Sequence, residues 1–440
     1  MKTTQREVLQ FVAENDVKFI RLAFCDVFGF QKNVAIMADE LESAFDHGVT
    51  FDPSALGGVW QGAQAHDLLL FPDPATLAVL PWRPQQGRVV RFFCDILTAS
   101  GAPFAGDCRA LLRRACREAD LMGYTCQIGP ECEFYLFEAD EHGRPTKEPH
   151  DRAGYLDIAP LDKGENVRRE ICLNLEEMGV TPISSHHESG PGQNEVDFKY
   201  SDALSAADNL TTFKAVVKSV AARSGLYASF LPKPLQGEWG SGLHINISLR
   251  GGDHNLFERE PETLSPEAAS FMAGVLRRIG EITLFLNPLT NSYQRFEHRD
   301  TPRVITWGWQ DRSHLLRVPA ASGELARMEL RSPDPSANPY LAFSLLLLAG
   351  LEGIRDNAAL QPPSVLDITS ASPAQLQGLD TLPGDLMAAA EAAASSAFVR
   401  QWVDPRVLDN HLSSAREHWE QYRRAGNKEK FEREAYFYRI

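Results

Sequence analysis

The sequence predicts an α+β protein built as a small, mostly β unit followed by a larger mixed one, and three observations carry that expectation. The first hundred residues hold several short strand-like runs cut by Pro and Gly turns. Beyond them, strand and helix signals alternate to about residue 360. A chain of 440 residues is also too long for one small core.

The elements follow in order. Residues 3–16 have helical periodicity. The runs FIRLAFCDVFG (19–29), NVAIM (33–37), LLLFPD (68–73), TLAVLPW (76–82) and RVVRFFCDIL (88–97) read as strands. Residues 1–100 form the expected small domain, and the small-residue stretch TASGAPFAGD (98–107) separates it from a second domain over 105–440. A helix is expected over 107–123, stopping at Gly123. The longest apolar run, Leu341 to Leu351, is too short to span a bilayer and reads as a buried helix. After a Pro/Ser-rich stretch (361–374), an Ala-rich helix is expected near 386–398, and a charged amphipathic segment from about 408.

Composition narrows the function. A net charge of −15 gives no bulk attraction to nucleic acid or to an anionic membrane. A site for anionic substrates must therefore gather its positive charge locally. The cysteines, Cys25, Cys94, Cys108, Cys116, Cys126, Cys132 and Cys172, are odd in number and contain no C-x-x-C pair. That disfavours a disulfide framework or structural zinc and fits a reducing cytoplasm. The N-terminus MKTTQREVLQ has no signal-peptide pattern, so a cytoplasmic location is expected.

The chemistry is concentrated where period-2 alternation puts ionisable side chains on one strand face. Glu131 and Glu133 share a face in GPECEFYLF (129–137). His244, Asn246 and Ser248 do so in GLHINISL (242–249), as do Arg327, Glu329 and Arg331 in RMELRSPD (327–334). In NEVDFKY (194–200), Glu195, Asp197 and Lys199 oppose Val196, Phe198 and Tyr200. One such strand is ordinarily a half-exposed sheet with a solvated face. Four of them, carrying Glu, His and Arg opposite strongly apolar faces, point to a site. Glu131, Glu133, Glu188, Glu195, Glu329 and His244 make a hard, carboxylate-dominated ligand set, enough for two Mg²⁺ or Mn²⁺ ions and suited to phosphoryl transfer. Arg327 and Arg331 either grip phosphate or carboxylate groups or simply pair with these glutamates. No P-loop and no G-x-G-x-x-G in strand–helix context is present, so ATP would bind on a sheet through metals.

GPECEFYLFE, HHESGPGQNEVDF, FLPKP with GSGLHINISL, NPLTNSYQR and ELRSPDPSANPYLAF occur in an order that resembles the glutamine synthetase family. FIRLAFCDVFGFQKNVAI, FDPSALGG and LLLFPDP resemble the N-terminal β-grasp domain of its bacterial type I members. The resemblance implies a β-grasp domain plus a catalytic domain with a curved antiparallel sheet flanked by helices. It also implies subunits in two stacked hexameric rings, a dodecamer with each active site between neighbours. The implied reaction is ATP-dependent phosphorylation of glutamate, or an analogue, followed by attack of ammonia or an amine, with two or three Mg²⁺ or Mn²⁺.

Position by position, Glu133, Glu188 and Glu195 resemble ligands of the metal nearer glutamate, and Glu131, His244 and Glu329 those of the metal nearer the nucleotide. Arg331 and Arg295 resemble the arginines that hold the amino acid, with Gly240 contacting it through its backbone. Arg312, Arg317 and Arg327 resemble phosphate-facing arginines. Tyr200 stands at the adenine-stacking position, flanked by Asn246 and Ser248. Asp52, from the neighbouring subunit, resembles the aspartate that binds and deprotonates ammonium.

Several positions depart from the family pattern. Equal spacing puts Thr301 where the flap glutamate that closes the ammonium site belongs, with Asp300 one residue away as a substitute. Trp239, in GEWGSG (237–242), replaces an asparagine that helps hold the amino acid. Pro53 stiffens the FDPSA loop, and Ser322 stands at a usually basic phosphate-loop position. An ammonium site needs negative charge and a base, so loss of the flap carboxylate favours a γ-glutamyl-amine ligase acting on larger primary amines. An ordinary glutamine synthetase and a catalytically weak nucleotide-binding paralogue are the alternatives. Residues 361–400 contain no Tyr, so no tyrosine adenylylation is expected there, and the feedback arginine expected between Gly58 and Asp67 is missing.

Overall fold

Helix α1 (Gln5–Glu14) opens on a reciprocal cap: the Thr4 hydroxyl accepts the Glu7 amide while the Glu7 carboxylate accepts the Thr4 amide. The computed structural model to which it belongs describes residues 3–56, 66–258, 263–296 and 301–440. After α1 come β1 (Val17–Cys25), β2 (Gln31–Met37), α2 (Leu41–His47), β3 (Val49–Phe51), β4 (Leu68–Pro72), β5 (Ala78–Val79) and β6 (Arg88–Thr98). The described strands form a sheet ordered β2-β1-β6-β4-β3, with β5 on β6. Its β1–β6 pair is parallel and its other pairs are antiparallel. Val8, Ile20, Leu22, Phe45, Leu70 and Phe92 bury its apolar face in a core of its own. The run 76–82 yields only the two residues of β5. Asp73 and Pro74 first start a turn of 3-10 helix, and Pro81 then withholds the amide that a longer strand would need.

The larger part begins with α3 (Cys108–Leu121), capped by Asp107 and stopped before Gly123, whose φ is +83°. It continues through β7 (Tyr124–Ala139), β8 (Pro145–Pro149), α4 (Glu165–Glu177), β9 (Pro182–His187), β10 (Gln193–Phe198), β11 (Ser201–Asp202), α5 (Ala203–Arg223), β12 (Leu226–Ser229) and β13 (Leu243–Gly251). Then follow β14 (His254–Asn255), α6 (Pro266–Leu286), α7 (Thr290–Arg295), β15 (Trp307–Trp309), β16 (Leu316–Val318), β17 (Met328–Leu330) and α8 (Pro339–Arg355). The main sheet runs β15-β16-β17-β13-β7-β10-β9 and is antiparallel except for β15–β16. Strand β7 also pairs with β8, β11 and β12.

The apolar face of this sheet is covered by helices; Phe134 meets Phe213 of α5 edge-on at 6.0 Å. Helix α8 is buried almost throughout, as its uninterrupted apolar run predicts. It lies hard against α6: a Cβ on Gly274 would sit 2.2 Å from the Ala349 carbonyl oxygen, and one on Gly353 2.1 Å from that of Ser270. The expected Ala-rich helix runs Leu386–Ser395, after which Ser396 caps a new helix, Ala397–Trp402, by accepting the Val399 amide. Helix Pro405–Arg424 supplies the amphipathic C-terminal segment. No helix among the described residues is long and apolar enough to cross a membrane.

The two sheets are tied together through buried polar groups. Arg109 of α3 grips Asp208 of α5 bidentately at 3.1 and 2.8 Å, and reaches Asp95 of β6 and Asp73 after β4 at 2.8 and 2.9 Å. The Val27 carbonyl, in the β1–β2 turn, accepts from both Asn338 Nδ2 and His411 Nε2 at 3.0 Å.

Candidate functional site

Strand register assembles the site on the polar face of the main sheet. In β7, Cys126, Ile128 and Cys132 point into the core, which turns Glu131 and Glu133 to the opposite side. Glu131 lies directly across from His244 of β13, Asn246 lies across from Glu329 of β17, and Glu133 lies across from Glu195 of β10. Four strands thus deliver five carboxylates and imidazoles to one surface, and the turn after β9 adds Glu188.

Two groups of ligand atoms result, those within each lying no more than 4.8 Å apart: Glu131, His244 and Glu329, and His186, Glu188 and Glu195. His244 Nδ1 stands 3.3 Å from Glu131 Oε2. His186 stands 3.3 Å from Glu188 and 3.5 Å from Glu195. Glu133 lies beside the second group, its Oε2 accepting from Gln193 Nε2 at 2.9 Å and the Gly242 amide at 2.8 Å.

Electrostatics separates the two groups. Burial alone would raise Glu131, but the hydrogen bond and charge of His244, with Asn246 and Arg327, outweigh it and hold the carboxyl down at about 2. Glu329 is buried too, yet His244, Arg331 and Arg317 keep it below the usual carboxylate range. In the other group, burial and repulsion from Glu133 push Glu188 up to about 8. Burial and the crowd of Glu133, Asp197, Glu131 and Glu188 push Glu195 up to about 11. Packed carboxylates that cannot all ionise on their own are what a divalent cation relieves, and oxygen-rich donor sets with few imidazoles fit Mg²⁺ or Mn²⁺.

A third cluster, Asp151, Asp162 and His187, is fully buried but spends its hydrogen-bonding groups on neighbours. His187 bridges Asp151 Oδ1 and the Glu188 carbonyl at 2.8 and 2.6 Å, and Arg168 takes Asp162. It clamps the turn that presents Glu188.

The first two groups, with Glu133, line a cavity of about 880 Å³. Arg295, Arg312, Arg317, Arg327 and Arg331 enter from the other walls and gather positive charge locally in a chain of net charge −15. Several of these arginines are already engaged. Arg331 and Arg317 (2.6 Å) both hold Glu329, so the pairing alternative weighed for Arg331 is what the structure contains. Arg327 Nε donates to Asn246 Oδ1 at 2.7 Å. Arg295 is buried and donates to the carbonyls of Ser332, Pro333 and Arg331 at 2.8, 3.1 and 3.2 Å. Gly240 is there because a Cβ would meet the Pro232 carbonyl at 2.8 Å and Arg295 Cγ at 2.9 Å. Trp239 and Thr301 line the same cavity, and the Trp239 carbonyl accepts the Tyr135 hydroxyl at 2.6 Å.

A smaller hollow of about 280 Å³ adjoins it, sharing Glu131, Asp197 and Arg327, and is lined by Tyr200, Asn246, Ser248 and Leu325. Tyr200 does not sit on the apolar face with Val196 and Phe198: β10 ends at Phe198, and the exposed Tyr200 ring turns to this hollow, its hydroxyl donating to the Glu324 carbonyl at 3.2 Å. Asp52 is exposed, accepts the Ser54 amide at 2.8 Å and does not line the cavity of its own chain. Asp300 and most of the 58–67 stretch lie outside the described residues.

The lining residues that were not anticipated include His186, Gln193, Tyr155, Asp311 and Asp367. Gln193 carries a signal in the sequence, since it stands two residues from Glu195 on the same strand face, and His186 stands two residues before Glu188 of the turn that follows its strand. Tyr155 lies in a loop, edge-on to the His186 ring at 5.8 Å, where no periodicity points to it.

The family described as glutamine synthetase, catalytic domain matches residues 105–436, and that described as glutamine synthetase, beta-Grasp domain matches residues 16–99. Similar relatives include a glutamine synthetase of Clostridium saccharobutylicum, 45% identical over 429 residues and 96% of each chain. One of Methanosarcina mazei is 44% identical over 96% of this chain and 95% of its own. Solved structures of GmaS, without ligand and in complex with ADP, are 30% identical, with TM-scores of 0.85 and 0.86 over 97% of this chain and 98% of theirs.

Proposed function

The chain belongs to the glutamine synthetase family of ATP-dependent ligases that form C–N bonds, and from that premise we propose that it joins glutamate to a primary amine larger than ammonia. A γ-carboxylate oxygen of glutamate attacks the terminal phosphorus of ATP and ADP leaves. The amine nitrogen then attacks the acyl phosphate, loses a proton and expels phosphate. The observation that carries the choice of acceptor is Thr301, a buried neutral side chain on the cavity wall where the family's flap carries a carboxylate.

The residues that would hold Mg²⁺ or Mn²⁺ are Glu131, His244 and Glu329 toward the nucleotide, and Glu133, Glu188 and Glu195 toward glutamate, His186 standing beside the latter. Bound there, such ions supply charge neutralisation for the phosphates. The protein's own groups do the rest. Tyr200, Asn246 and Ser248 receive the adenosine end, and the ADP complex of the structurally similar GmaS supports a nucleotide in this region of the fold. Arg312, Arg317 and Arg327 steady the phosphates, while Arg331, Arg295, Gly240 and Trp239 orient the amino acid. Asp52, contributed by a neighbouring subunit of a ring-shaped oligomer, takes the proton from the amine.

A second reading, glutamine synthetase proper acting on ammonia, is favoured by the names of the relatives that are 40–45% identical. One experiment decides between them: phosphate release from ATP, Mg²⁺ and L-glutamate with ammonium, methylamine, ethanolamine, putrescine or an aromatic amine. Turnover with a larger amine at least about tenfold more efficient than with ammonium supports the amine ligase. Efficient use of ammonium sinks it in favour of the second reading. Silence with every amine removes both and leaves a different acid substrate or a weakly active nucleotide-binding protein.

A further inference from the structure

A hollow of about 400 Å³ lies away from the catalytic cavity, where the β1–β2 turn meets the middle of α5 and the last residues of the chain. Its ionic lining is wholly basic in side chains: Lys32 at the start of β2, Lys214 and Lys218 one turn apart on α5, and Arg439. Lys214 Nζ donates to the Pro335 carbonyl at 2.5 Å and Lys218 Nζ to the Arg439 carbonyl at 3.1 Å, which leaves each ammonium with donors to spare. Among the described residues no carboxylate forms an ion pair with either lysine; Asp334 acts on Lys214 from beyond that distance, and Asp26 stands 3.7 Å from Lys32. The walls are aromatic. The Phe230 ring centre is 5.9 and 5.8 Å from the two Nζ atoms, and Arg439 stacks on Phe30 at 4.9 Å.

Burial pulls Lys214 below the usual lysine range, and burial with repulsion from Lys214 pulls Lys218 down to about 8. Two half-buried cations kept one helical turn apart, with no carboxylate at ion-pair distance from either, are costly in a chain of net charge −15 that has carboxylates in excess. We propose that this hollow is a binding site for a small anion bearing phosphate or carboxylate groups, held by Lys214, Lys218 and Arg439. The volume suits a small metabolite and excludes a folded partner. An occupant would touch the β1–β2 turn and α5 at once, so its binding is read by both sheets.

Lysine labelling tests this on the full-length protein. Acetic anhydride modification of Lys214 and Lys218 is followed by mass spectrometry in inorganic phosphate, in succinate and in chloride of equal ionic strength, with exposed Lys18 as control. Phosphate or succinate at about four times its Kd should slow modification of Lys214 and Lys218 roughly fivefold and leave Lys18 unchanged. Protection by phosphate alone assigns a phosphate ligand, and protection by succinate alone a carboxylate. Equal rates in all three salts would overturn the proposal. So would lysines that stay unreactive in the assembled protein and react only in dissociated protomers, because the hollow is then covered by a second copy.

Discussion

Glu195 is the residue whose surroundings say most about the site, because its neighbours work against its charge. It is crowded by Glu133, Asp197, Glu131 and Glu188 on a buried strand. Glu195→Gln removes a metal ligand and relieves repulsion at the same time. In metal-free protein it should stabilise the fold by on the order of 1 kcal/mol, while abolishing the rise in Tm on adding Mn²⁺. Thermal melts with and without Mn²⁺ check this, and loss of stability without metal would argue that Glu195 is structural. Thr301→Glu restores a carboxylate to the acceptor side of the cavity. It should shift the ratio of kcat/KM for ammonium over a larger amine toward ammonium by about tenfold. An unchanged ratio would remove Thr301 from acceptor choice.

Helix Pro405–Arg424 carries His411 to the β1–β2 turn, where its ring is buried against Phe28 and Phe285 and donates to the Val27 carbonyl. Burial lowers its pKa from the ordinary 6.5 to about 4. The unfolded chain therefore binds a proton at pH values where the folded chain does not. Stability is whole above pH 6.5 and falls as pH drops toward 4, by up to about 3 kcal/mol from this group. Denaturant melts across that window should show the slope, and His411→Gln should flatten it. The α6–α8 contact makes a second prediction. Gly353→Ala forces a methyl group toward the Ser270 carbonyl and should cost about 1–3 kcal/mol by urea denaturation.

Element by element, the sequence disclosed what periodicity encodes. The alternation in β7, β10 and β13 identified the polar face, because one register error would have buried every carboxylate on it. It did not disclose the end of β10 before Tyr200, where the pairing with β9 slips register between Asp197 and Phe198, nor the short β5, which flanking prolines cut off.

For the whole molecule, Asp52 matters most: it is exposed, follows β3 of the smaller sheet and lies off the cavity of its own chain. If the catalytic centre is shared between subunits, the two defects Asp52→Ala and Glu133→Ala are complementary. Each variant alone should be inactive, and mixing them after dissociation should recover part of the activity, because some pairs of neighbours then contain both intact groups. A mixture as inactive as its components would place both residues in one chain's site. Contacts at this scale were invisible in the sequence. The parallel β1–β6 pairing and the reach of Arg109 to Asp73, Asp95 and Asp208 join residues far apart along the chain, and no local pattern marks them.

Strand β7 hydrogen-bonds, along its sixteen residues, to five other strands. Its amides should be the last to trade hydrogen for deuterium, released only when the entire sheet opens. Glu131 and Glu133 would then keep their spacing through every partial opening of the surrounding helices. A protein that breathes at its edges would still meet each incoming ion with the same two carboxylates.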